Sequence, residues 1–163
     1  MKDERFRVFV EQLRDGHIEK LREAFEPLFL DVHEKDLTFA DPVHIQGEAY
    51  LADEMLVLHM DIDTYATIPC LICNEPVKVE IAIKGFYHAI PIDEIKGSVF
   101  NFQELLRETI LLETPNLAEC NQGKCPQRKT VQKYLKNDAD GSKKSNEEGY
   151  RPFADLDFDQ KKN

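Results

Sequence analysis

Hydrophobic and polar positions alternate most regularly from Val77 to Lys84, where Val77, Val79, Ile81 and Ile83 are separated by Lys78, Glu80, Ala82 and Lys84. Successive side chains of a strand point to opposite faces, so this run predicts a strand with one apolar and one wet face. Earlier in the chain LFLDV at 28–32, PVHIQGEAYLA at 42–52 and EMLVLHMDI at 54–62 form short apolar stretches separated by Asp, Lys and Gly. Within the third, Leu56, Leu58, Met60 and Ile62 share one strand face, with Val57, His59 and Asp61 on the other. Arg5 to Leu13 reads as a further strand with Phe6, Val8 and Val10 on one side, although Phe9 and Leu13 break the alternation.

Two segments carry the helical period instead. From Gly16 to Phe25, Ile18, Leu21 and Phe25 make an apolar stripe that Pro27 ends. Asn101, followed by Glu104, resembles a capping box before Phe102, Leu105, Leu106 and Ile110, and Pro115 stops that helix. Thr130 to Leu135 adds a short helix. Strands first and helices later predict an α+β fold on a largely antiparallel β-sheet, open or barrel-like, with two to three helices. The polar stretch 136–149 has almost nothing to bury and is expected to form a disordered linker. Tyr150, Pro152, Phe153, Leu156 and Phe158 then form an apolar cluster in the 150–163 tail, too short to fold alone but suited to docking. The expected organisation is thus one α+β domain over 1–135, a linker and a tail.

Length agrees with that organisation: 163 residues and 18.9 kDa suit one domain with a tail rather than two. Charge divides the chain. Residues 1–123 hold 24 acidic and 11 basic side chains, a net of −13, and the remaining 40 are net +3, giving −10 overall. Between Lys124 and Lys144, seven basic residues face only Asp138 and Asp140. Such a run is either a solvated face or a contact for RNA or an acidic surface, and its leading residues are Lys124, Arg128, Lys129, Lys133 and Lys136. No run approaches the roughly 20 apolar residues that cross a bilayer, and the charged start MKDERFRVFV lacks an apolar signal centre, so a soluble, cytoplasmic chain without membrane contact is expected. The net charge counts against a protein that wraps nucleic acid over its whole surface, and no DNA partner is expected.

In a reducing compartment four cysteines are poor disulfide candidates. Cys70 and Cys73 form Cys-x2-Cys in PCLICNEP, and Cys120 and Cys125 form Cys-x4-Cys in ECNQGKCP. Two short-spaced pairs each deliver two thiolates from one tight turn, which suits tetrahedral Zn2+, and Pro69, Pro76, Gly123 and Pro126 supply turns. The 46 residues between the pairs exceed a compact ribbon, so the metal would staple a hairpin to the segment leaving the helix. Unliganded thiols and redox chemistry at Cys70 and Cys73 are the rival readings. The second fares worse, because Pro76 and an alternating strand follow where a thioredoxin-like helix should begin. A closed four-thiolate site is structural rather than catalytic. His17, His33, His44, His59 and His88 make no ligand pattern, and no phosphate loop or nucleophile elbow is present, so no enzyme is expected.

PCLICNEPVKVEI, then NFQELLRETILLETP, a second cysteine group and the closing RPFADL together resemble the YceD family of bacterial and plastid proteins needed for accumulation of large-subunit ribosomal RNA. The resemblance runs from about residue 5 to Leu156, with Cys120 and Cys125 on the second cysteine group. It implies a non-catalytic factor of 23S ribosomal RNA maturation and large-subunit assembly. Its partner would be a ribosomal protein or a pre-50S particle; contact with 23S RNA through the basic segment 124–144 is read from charge and not from the resemblance. The rival function is an interaction adaptor unrelated to ribosomes.

Overall fold

The computed structural model describes residues 3–139 and shows an α+β fold with antiparallel sheets. Strand β1 (Arg7–Phe9) is followed by β2 (Glu19–Phe25), β3 (Val43–Ala52), β4 (Met55–Pro69), β5 (Pro76–Pro91) and β6 (Val99–Asn101). Helix α1 (Gln103–Glu113), a single turn α2 (Cys120–Gly123) and α3 (Arg128–Ala139) complete the order. Sheet order is β2-β3-β4-β5, with β2 and β5 at the edges, and β1 pairs separately with β6. The chain divides into two units between Gln127 and Arg128, eight residues before the boundary expected at 135.

Within segment 16–25, Glu19–Phe25 is a strand, not the helix the apolar spacing suggested. Leu21 and Phe25 stand four apart, a separation that satisfies both the helical period and the strand period of two. What decides is the partner strand: β2 pairs along its whole length with β3, from Glu19 opposite Ala49 to Phe25 opposite Val43. Ile18, the third member of the supposed stripe, is 54% exposed. Near the N-terminus only Arg7–Phe9 is strand, and the chain turns into a 3-10 segment at Val10–Gly16, where the expected alternation fails. Phe6, Val8 and Val10 are nevertheless all buried, as their shared face required. Apolar segment 28–32 lies mostly in a 3-10 turn, Pro27–Leu30.

Strand β5 continues to Pro91, beyond the alternation that ends at Lys84. The cause is a bulge: Met60 pairs with Phe86 and Ile62 with Ile83, so Lys84 and Gly85 together oppose Asp61. Gly85 takes a positive φ of 65°, and its N–H donates to the Asp61 carboxylate at 2.7 Å. The extra residue shifts the phase of the pattern, which hides the second half of the strand from a period-two reading.

The inner sheet face packs against the N-terminal segment and α1. Phe6 stacks on Phe25 with ring centroids 3.9 Å apart, and Phe102 meets both edge-on at 5.8 and 6.3 Å. Asn101 accepts from the N–H of Gln103 at 2.9 Å, so it caps the first turn although Phe102 occupies the cap position. Phe102, Leu106 and Ile110 recur every four residues and are buried, with Leu105 partly covered. Pro115 follows directly on the C-cap Thr114, whose ψ of 121° is the extended conformation a following proline imposes. Helix α3 outruns the expected 130–135 and occupies the first four positions, 136–139, of the stretch expected to lack structure. The rest of that linker and the tail lie outside the described residues.

At Gly47 the β3 and β4 backbones approach so closely that an added Cβ would sit 2.2 Å from the His59 carbonyl oxygen and 2.4 Å from Met60 Cα. Both neighbours are backbone, so relief requires moving a strand. Gly47→Ala should lower stability by about 2 to 3 kcal/mol, the usual cost of overpacking. An unchanged urea midpoint would contradict this packing.

Candidate metal centre

Strands β4 and β5 stop pairing at Pro69 opposite Pro76. Neither proline has an N–H to extend the ladder, so the tip between them folds on its own. The N–H of Cys70 donates to Glu75 O at 2.7 Å, and that of Asn74 to Cys70 O at 3.0 Å. Asn74 closes the turn at a φ of 63°, in the left-handed region that Asn tolerates. The second loop is built alike: Asn121, Gln122 and Gly123 are all left-handed, and the N–H of Lys124 donates to Asn121 O at 3.1 Å. A parallel bridge between Cys70 and Ala118 joins the two loops, with the N–H of Leu71 donating to Ala118 O at 2.8 Å.

The four sulfurs of Cys70, Cys73, Cys120 and Cys125 lie within 4.8 Å of one another. Cys73 and Cys120 are 3.6 Å apart, far outside the roughly 2.05 Å of a disulfide. Four thiolates about 2.3 Å from a tetrahedral ion would stand about 3.8 Å from each other, so the cluster fits such an ion with little contraction. Cys70 and Cys125 are buried and Cys73 and Cys120 half-buried. All four cysteines are thus brought together, in a geometry suited to a soft metal ion such as Zn2+.

Backbone donors polarise the cluster. The Cys70 thiol is drawn down to about 6, first by the backbone N–H of Cys73 and then by those of Cys120 and Ile72. The last two donate to the Cys70 sulfur at 3.3 and 3.4 Å. Cys73 shifts the other way: the backbone at Glu75 lowers it, but burial and the Cys70 and Cys125 side chains outweigh that contact. Cys120 is raised far above the usual thiol range by Cys125, then by burial, Cys73 and Cys70. Close-packed sulfurs cannot all carry charge unless a cation sits among them. The centre therefore favours a thiolate at Cys70 and protonated thiols at Cys73 and Cys120 until a metal binds.

Other site residues separate. Lys124 is exposed on the cysteine loop itself, within the first unit. Arg128, Lys129, Lys133 and Lys136 belong to α3, in the second unit. Lys129 and Lys133 are exposed and one helical turn apart. Sequence reading missed Glu119, whose Oε1 accepts the N–H of Cys125 at 2.8 Å and fixes the loop behind that ligand. It also missed Asn74 and Asn121, although each directly follows a cysteine and that repetition was legible. Among the described residues no helix is long and apolar enough to cross a membrane.

Comparison of the chain with protein-family models, with curated proteins and with solved structures finds no match. The motif order that resembles the YceD family therefore stands on the quoted segments alone.

Cys73 and Cys120 keep their protons at neutral pH, whereas a metal binds thiolates. Uptake of Zn2+ near pH 7 should therefore release at least two protons per ion, measurable by calorimetry in buffers of different ionisation enthalpy. Uptake should therefore weaken as pH falls from 7, and more steeply below about 6, where the Cys70 thiolate is protonated as well. Release of no protons would contradict the protonation derived from the geometry.

Proposed function

We propose that this protein is a non-catalytic factor that supports accumulation of 23S ribosomal RNA and assembly of the large ribosomal subunit, with a structural Zn2+ held by Cys70, Cys73, Cys120 and Cys125. The observation that carries the reading is the convergence of the two cysteine pairs, one from the β4–β5 hairpin and one from the segment after α1. Four cysteine ligands saturate a tetrahedral ion, so no coordination position is left for a substrate or an activated water. Zinc suits an all-sulfur site because it has no redox chemistry of its own and accepts tetrahedral geometry without strain. The order of PCLICNEPVKVEI, NFQELLRETILLETP and RPFADL supports the ribosomal reading by its resemblance to the YceD family.

Charge divides the labour. The net −13 of residues 1–123 favours encounter with a basic ribosomal protein, by complementary potential and a faster on-rate. On α3, Lys129 and Lys133 present positive charge suited to a phosphate backbone. The protein acts in the cytoplasm, on a pre-50S particle.

Depletion of the protein in its host tests this directly. Levels of 23S RNA and of 50S particles should fall, and re-expression of the intact chain should restore them. A chain with Lys129→Glu and Lys133→Glu should restore them poorly if α3 meets RNA. Unchanged 23S RNA and 50S particles on depletion would overturn the reading.

A further inference from the structure

The loops that hold the four sulfurs also display apolar surface. Leu71 is 62% exposed and Leu117 is 68% exposed. In a parallel pairing, bridged residues share a face and their chain neighbours take the opposite one. Because Cys70 bridges Ala118, Leu71 and Leu117 take diagonal positions, one residue after and one before the bridge, and both are exposed while Cys70 is buried. The hydrogen bond from Leu71 to Ala118 and the bonds from Cys120 and Ile72 to the Cys70 sulfur fix the backbone beneath them. Such a preformed surface binds without first ordering a loop.

The charge around this face is predominantly acidic. Segments 70–77 and 108–125, which supply both leucines, contain Glu75, Glu108, Glu113 and Glu119 and one cation, the exposed Lys124. Glu75, Glu108 and Glu113 are exposed. Lys78, just beyond the first segment, is engaged by Asp41 at 2.9 Å. A phosphate backbone would meet four carboxylates against the one cation of Lys124 here, so a basic protein segment is favoured over a nucleic acid.

We propose that the surface carrying Leu71 and Leu117 docks a basic protein segment with apolar side chains: the leucines seat its anchors, and the exposed Glu75 and Glu113 of the same segments meet its lysines or arginines. The proposal rests on the reading of the chain as a factor that acts by binding. It adds the place of contact and the chemistry of the partner.

The test uses the full chain loaded with Zn2+ and a fluorescein-labelled peptide of helical Leu-Lys-Lys-Leu repeats. Two reference peptides carry Glu for every Lys, or Ser for every Leu. The intact protein should bind the first peptide at least about tenfold more tightly than either reference. Leu71→Ser with Leu117→Ser should cost about tenfold or more at unchanged metal content, while Ile18→Ser, an exposed apolar site at the far end of the sheet, should change nothing. Glu75→Lys with Glu113→Lys leaves the leucines in place and should weaken binding to a similar degree, which keeps the test decisive if the leucine variant loses its metal. Failure of the intact protein to bind the basic peptide, equal binding of the Glu peptide, or undiminished binding by the variants would each overturn the proposal. The readout is binding in solution, so its failure is distinct from a failure of the depletion experiment that tests the ribosomal role.

Discussion

The N–H of Cys120 donates to the sulfur of Cys70 across 50 positions of chain, and the rest of the site is arranged around that contact. It ties the tip of a long hairpin to the segment that leaves α1. Cys73 and Cys125 complete a box of sulfur whose members repel one another's ionisation, so the arrangement has a strong physical reason to hold a cation. Where a small loop must hold one geometry without a large core beneath it, a metal replaces the missing burial. Both loops have few buried apolar residues of their own, and their left-handed turns at Asn74, Asn121 and Gln122 are conformations that only a constrained surrounding keeps.

The contact lies beyond one end of α1, and the aromatic core holds the other. Phe102 starts α1 against Phe6 and Phe25, and its N–H donates to Phe6 O at 2.9 Å, so the helix is anchored at its beginning by the aromatic core. At its other end the chain passes Pro115 and reaches the cysteine loop. A helix fixed by phenylalanines at one end and by sulfur beyond the other has its direction determined twice. The hydrophobic core carries the first constraint and the candidate metal carries the second.

The α+β class, the antiparallel sheet and the four cysteines were legible because each has a signal that is local: alternation at 77–84, a proline after Thr114, two short-spaced cysteine pairs. What was not legible depends on neighbours far along the chain. Leu21 and Phe25 obey both periods, and only pairing with β3 makes their segment a strand. The bulge opposite Asp61 erased the pattern of β5 after Lys84. Glu119 could not be found from spacing, because its role comes from a carboxylate folding back on Cys125 rather than from any ligand pattern. The charge division was visible in composition, and the structure adds that Lys124 lies on the cysteine loop while the other leading basic residues lie on α3.

If sulfur and a metal hold the hairpin tip to the segment after α1, metal analysis of the reduced, untagged protein should find that metal. The account predicts one zinc ion per chain, lost equally in Cys70→Ser and Cys120→Ser because each variant breaks a different loop of the same centre. Wild-type protein that is isolated without metal and takes up none when titrated with Zn2+ under reducing conditions would contradict it.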